Sequence, residues 1–303
     1  MTEQSVETMD ESTIRRLTVF LCIYMLGIVI SNAALIGLLV LRKNLRKISH
    51  LYIVALFFSE LLDGLILTSS MLLDLNGVLD TTKCVGIRYA EEIALIFGIV
   101  TLIGIAVDRY RCIVYPQLYK PTFRSTIFVI NGLLIASFIF SLNVFIENIY
   151  IKMCNILIED EDSDLWWRVY GFIVHFVLPL VVLIVLYFRI VKKLWMKEEV
   201  LSASTVMKRR TVKLTLICSA AYVMCWLPFY IFEIVHDSIA WSDGHEELFV
   251  NSRFVTIFIA LSGSLINPII YGCFSQNVVQ EIWLIKNQLQ CKPNQIDVMI
   301  IQR

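Results

Sequence analysis

Seven long apolar runs constrain this chain more than any other feature of its sequence. They lie near Leu17–Leu41, Leu51–Leu73, Cys84–Ile113, Ile127–Phe145, Tyr170–Phe188, Thr211–Val235 and Leu248–Tyr271. Crossing the hydrocarbon core of a bilayer takes roughly 20 residues of helix. In lipid there is no water to satisfy backbone N–H and C=O groups, so a span must be a helix or part of a closed barrel. None of the runs alternates with the period of two that a barrel strand needs, so each predicts a helix. Composition agrees: the chain is 58% hydrophobic and 17% charged, with a mean hydropathy of +0.73, well outside the range of soluble domains. The expectation is an all-α membrane protein, a seven-transmembrane helix bundle over residues 17–273, preceded by an outer segment, 1–16. Residues 274–303 follow as a short amphipathic eighth helix, Ser275–Leu289, and a tail. The first run is too long for a signal peptide and lacks a small-residue cleavage site, so it is expected to be retained. The outer segment is too short for a hormone-binding domain and has no Asn-x-Ser/Thr sequon, so no glycan is expected there.

A net charge of zero hides an asymmetry. With the amino terminus outside, the inner segments hold 19 of the 26 Lys and Arg, and the outer segments hold 19 of the 26 Asp and Glu. Basic residues flanking short loops fix topology during insertion, so the amino terminus is expected outside and the carboxyl terminus in the cytosol. Such a basic face also suits anionic lipid. Glu60 and Asp63 fall within the second span. A charged carboxylate at mid-membrane costs at least about 2.5 kcal/mol unless paired or protonated, so Glu60 must have a polar partner. The four His, at positions 50, 175, 236 and 245, show no metal-like spacing; no enzyme activity, metal, cofactor or nucleic-acid partner is expected.

The third span ends in Asp108-Arg109-Tyr110, followed by Ile113-Val114-Tyr115-Pro116; the sixth holds Cys225-Trp226-Leu227-Pro228 and the seventh Asn267-Pro268-Ile269-Ile270-Tyr271. Pro179 and Tyr187 lie in the fifth span and Asn32 in the first. With these motifs the chain resembles the rhodopsin-like (class A) G-protein-coupled receptors over essentially its whole length. The resemblance implies a plasma-membrane receptor that passes ligand binding outside to a heterotrimeric G protein inside. It implies a disulfide between Cys84 and Cys154, leaving Cys22, Cys112, Cys218, Cys225, Cys273 and Cys291 free, with Cys291 either palmitoylated or a plain thiol. Arg109 offers five donors in a planar fork. The resemblance has Asp108 satisfy it at rest, and Tyr187, Tyr271 and the G-protein tail receive it once the helices separate. Pro228 and Pro268 each remove a backbone hydrogen bond, so they kink their helices, and Trp226 is placed beneath the ligand cavity.

Several positions depart from the family's pattern. Glu60 stands where an Asp is usual, and Ala94, Gly98 and Gly263 replace polar neighbours, leaving Ser264 and Asn267. The expectation is that Glu60 bonds these two through water and that sodium binding is weak or absent; a sodium effect on agonist affinity that Glu60→Ala removes would contradict it. Lys208-Arg209-Arg210 carries no acid to restrain Arg109, so raised basal signalling is expected, and basal second-messenger levels no higher than in empty cells would argue against it.

The outer third is acidic, with Asp74, Glu91, Glu92, Glu147, Glu233 and Asp237 near the span ends. Glu91 matches the position at which amine receptors hold an ammonium, but Gly171, His175 and Leu261 stand where amine recognition wants hydroxyls. No Lys in the seventh span leaves retinal without a Schiff-base partner. Cys225–Tyr230 is similar to the same stretch of peptide receptors such as the somatostatin and galanin groups. A cationic peptide is the expected ligand, since opposite charge both pairs and steers, held by Glu91, Glu92, Glu233, Trp226, Phe229, Tyr230 and His175. The competing readings are an amine receptor and a non-signalling decoy or scavenger of the same fold.

Overall fold

A computed structural model of the chain describes residues 11–78, 81–143, 146, 169–195, 203–238 and 246–291. The elements are α1 (Glu11–Leu41), a short 3-10 turn (Lys43–Leu45), α2 (His50–Leu75), α3 (Thr81–Val114) and α4 (Phe123–Phe140). They are followed by α5, which opens as a π-helical turn (Phe172–Val177) and continues over Leu178–Trp195, then by α6 (Ala203–Ser238), α7 (Glu246–Phe274) and α8 (Gln276–Cys291). Seven of these helices are long and apolar enough to cross a membrane, as the sequence predicts. The fourth differs at its ends. It starts ahead of Ile127 because Thr122 and Ser125 form a reciprocal capping box, and its continuous helix runs to Phe140, with Leu142 and Asn143 helical again past Ser141 and Phe145 outside the described residues.

Burial separates the axis of the bundle from its rim. The most apolar windows of α2 and α3 are each 61% buried, whereas that of α4 is 11% buried; α3 packs against α2, α4, α5 and α6, and α7 closes the ring on α1, α2 and α6. Exposed side chains of α1 and α4, among them Ile23, Leu26, Ile30, Phe128 and Ile135, face outward as lipid-embedded helices should. Without a hydrophobic drive between helices in lipid, association rests on close packing through small residues. Gly64 is such a point: a Cβ there would lie 2.7 Å from Ile28 Cγ2, and Ile28 is fully buried. Gly64→Ala is therefore expected to lower stability by about 1–3 kcal/mol, read as a fall in the thermal midpoint, with partial recovery when Ile28→Val removes the Cδ1 atom.

Two local features position the functional groups. Pro179 has no N–H to offer the His175 carbonyl one turn earlier, and just upstream the helix widens, Leu178 N–H bonding Ile173 C=O in the π pattern. At the far end α8 turns away from α7 after Ser275, anchored by the fully buried Val278 and by Asn44 Nδ2 donating to Glu281 Oε1 at 2.6 Å.

Candidate functional site

The predicted site residues fall into three groups along the bundle axis, and α3 and α7 run through all of them. At the Arg109 end, Arg109 Nη2 lies 3.5 Å from Asp108 Oδ2. This is a charge contact without hydrogen-bond geometry, and Arg109 Nε has no partner. The other Asp108 oxygen accepts a 2.7 Å bond from the Tyr119 hydroxyl, and burial together with this carboxylate raises the Tyr119 phenol above its ordinary range. Tyr119 also carries the Arg111 guanidinium over its ring at 5.1 Å. Tyr110 packs edge-on against Tyr115 at 5.8 Å, and Pro116 sits exposed in the turn that follows. Tyr187 is buried and hydrogen-bonded to Ser219 at 3.3 Å, while Tyr271 stacks edge-on against Phe57 at 5.5 Å. Beside Tyr271 opens a cavity of about 210 Å³ whose lining among the described residues includes Lys47, His50, Arg109, Arg210 and Tyr271 and no carboxylate. The start of α6, which has no acid to offer Arg109, is tied to α5 instead. Arg209 donates to Leu194 C=O at 2.6 Å and lies over the Trp195 ring at 5.2 Å.

In the middle, Glu60 meets Asn267, one of its two expected partners, directly, and Ser264 serves another group. Asn267 Nδ2 donates directly to Glu60 Oε1 at 2.6 Å, with no need of a bridging water, and Ser264 contributes its backbone carbonyl to Asn32 Nδ2 at 2.9 Å. Asn32 donates also to Ile28 C=O at 3.0 Å, so α1, α2 and α7 are joined by buried amides. One turn from Glu60, Asp63 is buried as well and its Oδ1 has no hydrogen-bond partner. Both carboxylates line a small cavity of about 20 Å³ with Tyr222, Trp226, Ser264 and Asn267, room for about one water. Trp226, two residues before Pro228, forms its roof and meets Tyr222, Phe229 and Tyr230 at 6.1, 5.9 and 6.2 Å.

At the Glu91 end the acids already have basic neighbours. His175 Nδ1 lies 2.7 Å from Glu92 Oε1, joining α5 to α3 at the π turn. Arg253 Nε lies 3.4 Å from Glu233 Oε1, joining α7 to α6. Arg88 Nη1 lies 3.9 Å from Glu91 Oε2, and Glu91 interacts electrostatically with Arg253 as well. Phe172, Phe176, Tyr230 and Trp226 form an aromatic floor below, with Phe176 and Tyr230 5.2 Å apart.

The sequence names Asp108, Arg109, Glu60, Asn267, Trp226, Glu91, Glu92 and Glu233, and the structure places Asp108 beside Arg109, Glu60 beside Asn267 and these three outer acids near basic residues. The sequence did not single out Tyr119, Arg253 or the pairing of His175 with Glu92; basic residues one helix away were the only signal, and their facing depends on helix rotation. Cys84 is buried and disulfide-bonded. Cys154 and Glu147 lie outside the described residues, as do the side chains of Asp237 and Cys291. Cys22, Cys112, Cys218, Cys225 and Cys273 are free thiols.

The family model "7 transmembrane receptor (rhodopsin family)" matches residues 31–271. The chain is 27% identical to human prokineticin receptor 2 over 274 residues, 83% of this chain and 71% of the relative. It is 28% identical to mouse prokineticin receptor 1 over 276 residues, 82% of this chain and 69% of the relative. A QRFP-like peptide receptor of Branchiostoma floridae is 23% identical over 306 residues, 92% of this chain and 78% of the relative. Seven membrane-spanning helices, the Arg109 end, the proline-bearing α6 and α7 and the matched model together make this multi-pass membrane protein a member of the rhodopsin family of seven-transmembrane receptors.

Proposed function

We propose that the chain is a plasma-membrane receptor, amino terminus outside, that couples an extracellular basic peptide to a heterotrimeric G protein in the cytosol. The observation that carries this is the continuous polar seam. Ion pairs at the Glu91 end stand over an aromatic floor, the floor over the Glu60–Asn267 bond, and that bond over an Arg109 with an unfilled donor. Charge supports the orientation, since the Arg109 end holds most of the basic residues. That face also sits against anionic lipid. The name of one relative, a QRFP-like peptide receptor, supports a peptide over an amine.

In this reading a ligand cation competes for Glu91, Glu92 and Glu233, loosening the contacts that hold α5 to α3 and α6 to α7. Movement reaches Trp226 and swings α6 about Pro228. The inner end of α6 then parts from α5, Arg109 leaves Asp108 for Tyr187 and Tyr271, and the basic cavity widens to admit the tail of the G-protein α subunit. Only a ligand that binds the open form more tightly can drive this shift. The proposed Cys84–Cys154 bridge would pin the outer loop over the ligand.

The test is nucleotide exchange on several G proteins, in receptor-bearing nanodiscs, across a panel of synthetic basic peptides. Stimulated exchange is expected, with Glu91→Gln raising the half-maximal concentration about tenfold, the size of one charge-assisted bond. Peptide binding without exchange on any G protein would support sequestration instead.

A further inference from the structure

Arg253 is 6% exposed in α7, at the level of Glu91 and Glu233, and two of its donors are unused. Among the described residues the acid that faces it is Glu233, whose Oε1 lies 3.4 Å from Nε without forming a hydrogen bond, and neither Nε nor Nη1 has a hydrogen-bond partner. A guanidinium carries five N–H groups and no acceptor. Buried donors are almost always bonded, so two left open on one charged group stand out. Charge is not what this group lacks. Glu233 sits beside it, and Glu91 interacts with it across the bundle. A ligand carboxylate would add a further negative charge to that pair of acids. What is missing is acceptor atoms without charge.

On the reading that the ligand is a peptide, we infer that Arg253 is its specificity-determining residue, taking main-chain carbonyl oxygens of the ligand on Nε and Nη1 while the acids take its cation. A peptide backbone supplies neutral acceptors at every residue; a primary monoamine supplies an ammonium and no carbonyl. The site would then discriminate by the asymmetry that unpaired polar groups produce, rejecting a ligand that leaves its donors open far more strongly than one of slightly wrong size. Arg253 thus selects the class of ligand, and Glu91 attracts its charge.

The test reads binding rather than signalling, so it stands apart from the exchange experiment. The full chain in nanodiscs of neutral lipid is challenged with amidated synthetic peptides carrying one arginine each, and with tyramine and histamine as monoamines, and the thermal midpoint is followed. Replacing Arg253 leaves Glu233 without the cation that faces it, so the empty Arg253→Met receptor is expected to lose part of its midpoint, and each ligand shift is read against the empty midpoint of the same variant. Peptides that stabilise the wild type are expected to bind Arg253→Met and Arg253→Lys roughly tenfold or more weakly, the scale of lost charge-assisted bonds. For the tightest peptide, analogues with one peptide bond reduced to CH₂–NH remove one carbonyl at a time. One of them should lose about tenfold on the wild type and nothing further on Arg253→Met. Peptides that bind wild type and Arg253→Met alike overturn this inference and leave the receptor reading intact. Monoamines that stabilise the wild type where no peptide does, or a panel that stabilises nothing, count against both.

Discussion

Arg109→Gln is expected to reduce both basal and stimulated nucleotide exchange by tenfold or more while leaving the thermal midpoint close to that of the wild type. The two halves of this expectation have one origin. Arg109 meets Asp108 at 3.5 Å without a hydrogen bond and keeps Nε unpartnered, and Asp108 keeps its bond from the Tyr119 hydroxyl when Arg109 is replaced, so the resting state gains little from Arg109. In the open state the same side chain would donate to Tyr187, Tyr271 and a partner carbonyl, and hydrogen bonds to a charged donor contribute roughly 1.5–3 kcal/mol each. Losing one of them in the open state alone shifts the equilibrium by at least a factor of ten. Exchange at wild-type rate in Arg109→Gln would remove Arg109 from the coupling step. A large fall in midpoint would move it into the structural core.

The second large effect concerns the bridge at Cys84. This cysteine is fully buried and oxidised, and removing a native disulfide costs typically about 2–5 kcal/mol. Cys84→Ser should therefore lower the midpoint by several degrees and diminish surface expression. If the partner is Cys154, then Cys154→Ser should reproduce the loss and the double replacement should add nothing to it, because both substitutions break one bond. A Cys154→Ser protein with the wild-type midpoint would assign the bridge elsewhere.

How much of this was legible in the sequence depends on whether the signal is local. Apolar length predicts all seven spans, and the amphipathic run Ser275–Leu289 predicts α8. Arg109, Trp226 and Asn267 owe their places to position along a helix, which a local motif carries. Pairings between helices are another matter. Glu233 and Arg253 are on different helices, and so are Glu92 and His175; which faces meet depends on rotation about each axis, which no window of sequence carries. The correction at Glu60 has the same source. The sequence names Asn267 and Ser264 as its partners, and only packing shows that Asn267 reaches it directly at 2.6 Å and that the Ser264 carbonyl serves Asn32. Asp63 was visible as a buried acid, yet its place beside Tyr222 in the central cavity follows from how α2 and α6 face one another.

The wide turn over Phe172–Val177 sets the azimuth of everything before it on α5. Each residue of an ordinary helix advances the chain by about 100°, so a one-residue slip that tightened this turn would carry His175 most of a right angle or more away from Glu92 without stretching any covalent bond. The surplus residue is a stored increment of rotation, held in place by one imidazole–carboxylate contact.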